Sequence, residues 1–168
     1  MLELEVVYGW LNWHKEYESF LSAPVRRLID LMRTALKDGQ SDEALYYIDL
    51  SVDVSQSLGN SLEIGETRVE CAYAYIQLQM LPESILVLRQ AMHLFNAENI
   101  HNQGVALWML GYVYWETQRQ GDAIVMWERS CRIFRELQLI HIDTDWYATA
   151  CEQMCGALEI AIDQKTGI

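Results

Sequence analysis

The apolar residues of this chain recur with a helical spacing, and the spacing itself recurs. Leu107, Leu110, Gly111 and Tyr114 fall at offsets 0, 3, 4 and 7, which places them on one stripe of an α-helix. Leu28, Leu31, Met32 and Ala35 keep the same offsets, as do Arg68, Cys71, Ala72 and Tyr75 with a charged residue in the first slot. Each stripe lies in an apolar segment, over residues 25–36, 67–78 and 105–115. Downstream of each comes a short polar stretch with an acidic residue and then a small one: Glu43-Ala44, Glu83-Ser84 and Asp122-Ala123. A second apolar run follows each, at Leu45–Ile48, Ile85–Leu88 and Ile124–Trp127. The small residues Ala44, Ser84 and Ala123 are 40 and 39 residues apart. A fixed period of this length signals stacked supersecondary units.

Each unit therefore reads as two helices joined by a short turn. The turns are expected at Asp38-Gly39-Gln40, Gln79–Leu81 and Arg119–Gly121. Gly39 and Gly121 suit a helix stop, and Pro82 suits the first turn of a new helix, where its missing N–H costs nothing. With only 2 prolines in 168 residues, few positions forbid helix. The expected class is all-α. Close packing gives the pattern its meaning: Gly111 and Ala72 let the paired helices approach opposite Ala123 and Ser84, while Tyr75, Tyr114 and Trp127 fill space toward the next unit. Met32, where a small residue stands in the other two units, implies a wider first unit.

These positions resemble the tetratricopeptide repeat, whose signature runs Trp, Leu-Gly, Tyr, turn, Ala, aromatic, Ala. The third unit carries Leu107 in place of Trp, then Leu110-Gly111, Tyr114, Ala123, Trp127 and Ser130. The second has Cys71-Ala72, Tyr75, Ser84, Leu88 and Ala91, and the first Leu31-Met32, Ala35, Ala44, Ile48 and Ser51. A half-unit follows with Trp146, Thr149-Ala150 and Gln153. The period of 39–40 exceeds the family's usual 34, and residues 58–64 and 97–103 are expected to hold the surplus in a longer second helix and its loop. The resemblance implies a right-handed α-α superhelix, a solenoid of three helix pairs with flanking helices. The organisation expected is an N-terminal helical extension over 1–23, repeats over about 24–60, 61–100 and 101–142, and a capping helix and tail over 143–168. Residues 2–21 are expected either to pack on the first repeat or to extend loosely, and Trp146, Ala150 and Leu158 to pack on the third.

The resemblance also implies a concave groove lined by the first helix of each repeat. The residues assigned to it are Arg26, Ile29, Arg33 and Lys37, then Glu66, Val69, Tyr73 and Gln77, then Val105, Trp108, Tyr112, Trp115 and Glu116, with Tyr147 added by the last helix. Partner contact is expected at Arg26, Arg33, Lys37, Tyr73, Gln77, Trp108, Tyr112, Trp115 and Glu116, giving a basic end and an aromatic end. That suits another protein or an extended peptide with an acidic end and an apolar anchor. The competing reading packs Trp108 and Trp115 under a segment of the chain itself, such as residues 2–21.

Charge narrows the partners. With 24 acidic against 12 basic residues the net charge is −12, which argues against a nucleic-acid binder and against an anionic membrane surface. The start has no basic region ahead of an apolar run, and no run approaches a membrane span, so the expected location is the cytoplasm. Cys151 and Cys155 share a helical face and could join His141 at a metal, but the second ligand pair of a structural zinc site is missing. Cys71 and Cys131 read as core. No metal and no cofactor are expected. His14, His93, His101 and His141 are scattered, and neither a phosphate-binding loop nor a nucleophile or zinc-protease motif occurs, so no catalysis is expected. The function expected is an adaptor or scaffold that binds a partner protein, within a larger assembly or alone. The alternatives are a regulatory domain that senses a signalling peptide, and a self-associating homo-oligomer.

Overall fold

The computed structural model describes residues 20–95, 99–140 and 145–167. Among these residues there are seven helices and no strand. They are α1 (Ala23–Lys37), α2 (Ser41–Leu58), α3 (Ser61–Gln77), α4 (Leu81–Met92), α5 (Ile100–Glu116), α6 (Gln120–Ile140) and α7 (Asp145–Thr166). They fall into two compact units, α1–α4 in one and α5–α7 in the other. No described helix is long and apolar enough to cross a membrane.

In the first unit α1 pairs with α2 and α3 with α4, and the two hairpins stack through contacts of α3 with both α1 and α2. In the second unit α5 pairs with α6, and α7 lies along α6. The helices begin where local chemistry lets them. Pro24 and Pro82 occupy the first turns of α1 and α4. Asn60 caps α3, its Oδ1 accepting from the backbone N–H of Leu62 at 3.0 Å and Glu63 at 3.3 Å. Asp42 and Glu43 in the first turn of α2, and Asp122 in that of α6, face the positive end of the helix dipole.

The three hairpin turns share one geometry. Gly39, Gln79 and Gln118 all sit in the left-handed region, with φ of 73°, 59° and 63°. Each N–H bonds back three residues, to the carbonyls of Leu36, Ile76 and Trp115 at 3.0–3.1 Å. The next residue in each turn, Gln40, Met80 or Arg119, bonds back five residues at 2.8 Å. That double pattern is the Schellman motif. The second and third turns therefore lie at 78–80 and 117–119, not at the expected 79–81 and 119–121. Gly121 is not a helix stop; it lies inside α6.

The core repeats as the turns do. Ala44, Ile48, Ser51 and Ser55 are buried along α2. Ser84, Leu88, Ala91 and Phe95 are buried at the same offsets, and so are Ala123, Trp127, Ser130 and Phe134. On the facing first helices the buried triplets are Val25, Ile29 and Met32, then Gly65, Val69 and Ala72, then Gly104, Trp108 and Gly111. Volumes trade across each hairpin. A Cβ on Gly65 would lie 2.6 Å from the Phe95 ring, one on Gly104 2.6 Å from the Phe134 ring, and one on Gly111 would run into the Trp127 indole. At this crossing Met32 corresponds to Ile48, Ala72 to Leu88 and Gly111 to Trp127, so the smallest first-helix residue meets the largest second-helix side chain. Interiors pack to near-crystalline density, so a gain on one helix requires a loss on its partner.

Between the first two hairpins the chain is almost wholly helical. Only Gly59 and Asn60 separate α2 from α3, and Ser61–Ile64 form the first turn of α3. The second helix does run on to Leu58, but the loop expected after it shrinks to two residues and 61–64 join α3; Gly65 packs with Phe95 at that end of the hairpin. Residues 96–98 and 141–144, the segment 1–19 and its possible packing, and the side chains of Trp146, Tyr147, Ala150, Cys151 and Gln153 lie outside the described residues.

Candidate functional site

The first-helix faces assigned to partner contact differ between the two units. In the first unit the dominant feature is a row of three buried carboxylates on α3. Glu63, Glu66 and Glu70 are 4%, 2% and 2% exposed. Their spacing of three and four residues sets them on one face. A carboxylate taken out of water is costly unless something offsets its charge and fills its lone pairs. Glu70 is offset by Arg33 of α1, whose Nη2 donates to both carboxylate oxygens at 2.7 Å.

The other two carboxylates hold polypeptide backbone. Glu66 Oε2 accepts the N–H of Phe20 at 2.7 Å, and Glu63 Oε1 accepts the N–H of Ser22 at 2.7 Å. Ser22 Oγ also donates to Glu63 Oε1. This explains why Ser22, at the N-cap of α1, does not cap it with its side chain. Ser22 is extended, with φ −63° and ψ 160°, so alternate N–H groups along the strand-like entry meet successive turns of α3. Between them Leu21 is buried in a cluster with Val25, Ile29, Met32, Ile48, Cys71 and Ala74. Arg26 closes the arrangement, its Nη2 donating to the Leu21 carbonyl at 3.1 Å.

Of the basic residues assigned to this face, Arg26 and Lys37 are exposed, while Arg33 is engaged with Glu70 and its side chain is 14% exposed. Tyr73 is buried at 4% exposure, and its hydroxyl accepts from Nε2 of the exposed Gln77.

In the second unit the aromatic residues form a packed stack. Trp127 of α6 lies between Trp108 and Trp115 of α5, with ring centroids 5.4 Å and 5.6 Å away and planes tilted by 36° and 32°. Trp127 Nε1 donates to the Trp108 carbonyl at 3.1 Å. Trp108 is 1% exposed, so it serves the interior, whereas Trp115 and Tyr112 are half-buried and Glu116 is exposed. Partial burial pushes the Tyr112 hydroxyl above the ordinary tyrosine range, and the Glu116 carboxylate one turn on adds to the shift. Arg119 lies over the Tyr114 ring at 4.2 Å and pairs with Asp122.

The structure thus leaves Arg26, Lys37 and Gln77 at the surface of one unit and Tyr112, Trp115 and Glu116 at that of the other. It sends Trp108 and Tyr73 inward and ties up Arg33. Glu63 and Glu70 were not among the residues singled out from sequence, although their spacing with Glu66 is a helical stripe of like charge. Among the described residues no three His, Cys, Asp or Glu side chains gather as a metal site would require. No protein-family model matches the chain, and no curated protein or solved structure matches it.

Proposed function

We propose that this chain is a tetratricopeptide-like helical-repeat module, a right-handed solenoid whose task is to bind another polypeptide in extended form on the first helices of its hairpins. The observation that carries the reading is the pair of backbone N–H groups of Phe20 and Ser22 seated on Glu66 and Glu63. A face that grips extended backbone by carboxylate acceptors, one buried side chain lying between them, has the chemistry of peptide recognition. The chain's own entry segment fills those acceptors, so contact with a partner falls to the side chains at the surface of each unit.

Those side chains differ in kind. In the first unit exposed Arg26 and Lys37 favour acidic residues; in the second, taken by itself, half-buried Trp115 and Tyr112 offer apolar anchoring with two polar edges. The shared Schellman turns and the matching core offsets support equivalence of the three hairpins, as a repeat protein requires.

The test is capture of partners from native extract by wild type and three variants with unchanged melting curves. Trp115→Ala should lose the partner at any salt, since truncating an aromatic anchor typically costs about 2 kcal/mol or more, roughly thirtyfold in affinity. Arg26→Glu should lose it chiefly at low salt. Arg129→Glu, on the exposed side of α6, should retain it. Loss in Arg129→Glu with retention in the other two would move the interface to the second helices and overturn the reading.

A further inference from the structure

Cys131 on α6 and Cys155 on α7 bring their sulfurs to 3.5 Å across the helix pair. Cys131 is buried at 2% exposure and Cys155 is half-buried, so Cys155 is the more accessible of the two. Arg135, one turn beyond Cys131, donates from Nη2 to Cys155 Sγ at 3.2 Å. The third described cysteine is placed differently. Cys71 is fully buried, touches the Ser51 hydroxyl at 3.5 Å and has its thiol pushed up to about 12, burial being the main cause.

We propose that Cys131 and Cys155 are an oxidation site, closed reversibly to a disulfide by a hydroperoxide. Cys155, as the more accessible sulfur, attacks the peroxide oxygen. The S–O bond forms, the O–O bond breaks, and the departing hydroxide or alkoxide takes up the thiol proton as water or alcohol. Cys131 then attacks the sulfenic sulfur of Cys155. The S–S bond forms, the S–O bond breaks, and hydroxide leaves with the Cys131 proton as water. Two thiols lose two electrons and one hydroperoxide gains them. The sulfurs need to close from 3.5 Å to about 2.05 Å. A dithiol reductant reverses the reaction by exchange.

The consequence is a covalent tie between α6 and α7. It closes a loop of two dozen or so residues, which restricts the unfolded chain and raises the melting temperature by roughly 5 °C or more. This inference does not rest on the binding role proposed above.

The experiment treats reduced full-length protein with hydrogen peroxide, blocks remaining thiols, and maps peptides by mass spectrometry without reduction. The expected product is a cross-linked pair containing Cys131 and Cys155, two hydrogens lighter than its parts and split by dithiothreitol. Cys71 should be alkylated only after denaturation. Cys151→Ser should leave the cross-link intact, and Cys155→Ser should abolish both it and the thermal shift. A bridge between Cys151 and Cys155, a Cys155 that passes to sulfinic acid with Cys131 still reduced, or no oxidation in excess peroxide would each overturn the assignment.

Discussion

Gly111 shows what a single residue does in this chain. It lets the backbone of α5 approach the Trp127 indole, which is held on both faces by Trp108 and Trp115 and at its edge by the Trp108 carbonyl. An indole fixed at three points cannot swing aside as a flexible side-chain end could. Gly111→Leu should therefore destabilise by roughly 2 kcal/mol or more, because added bulk must separate the helices or break the stack. Asp122→Ala is the contrasting change. Asp122 pairs with Arg119 at a half-exposed position, 53% against 51%, and its loss should cost no more than about 1 kcal/mol. Chemical-denaturation midpoints of the two variants test this, and equal shifts would mean that the close crossing at Gly111 is dispensable. The small residue at 111 was legible from the spacing of its helical stripe. The pairs Gly65 with Phe95 and Gly104 with Phe134 were not, although they too recur after 39 residues. They lie beyond the positions that the resemblance directs attention to.

At the scale of the element, helix ends repeat more faithfully than the residues that form them. Gly39 holds the left-handed position of the first turn at no steric cost, whereas Gln79 and Gln118 hold the same position with a Cβ. The second turn was expected one residue late and the third two, because glutamine carries no signal for that conformation and Gly121 has the composition of a helix stop. Gln118→Gly should stabilise the protein by about 1 kcal/mol, the relief of left-handed strain less the added freedom of the unfolded chain. Gln79→Gly should do likewise. Urea melts are expected to show a higher midpoint at unchanged slope, and a lower midpoint would mean that the glutamine side chains contribute contacts that outweigh the strain. The carboxylate face of α3 belongs to the same scale. Its helical stripe could be counted in the sequence, but its partners could not. Arg33 lies 37 residues away from Glu70, and the N–H groups of Phe20 and Ser22 have no side-chain signature at all.

For the molecule as a whole, charge and burial act together. A chain of net charge −12 has placed three carboxylates inside one unit and satisfied them with a guanidinium and with backbone. The all-α class and the hairpin order were legible because helical periodicity and a period of 39–40 residues reinforce each other. The face for partners was only partly so. Periodicity tells which residues share a stripe, but it does not distinguish a tryptophan that packs inward, as Trp108 does, from one left half-exposed, as Trp115 is. The second helices also present apolar residues to solvent, Tyr46, Leu86 and Val125, 61%, 58% and 48% exposed and spaced by the repeat period. The central claim, that polypeptide is bound on first helices, is set against that outer stripe most directly by photo-crosslinking. A photoreactive residue is placed in turn at positions 37, 77 and 116 on first helices and at 46, 86 and 125 on second helices, and each protein is irradiated in native extract. The account predicts partner adducts from 37, 77 or 116 and none from the outer three; adducts confined to 46, 86 and 125 would contradict it.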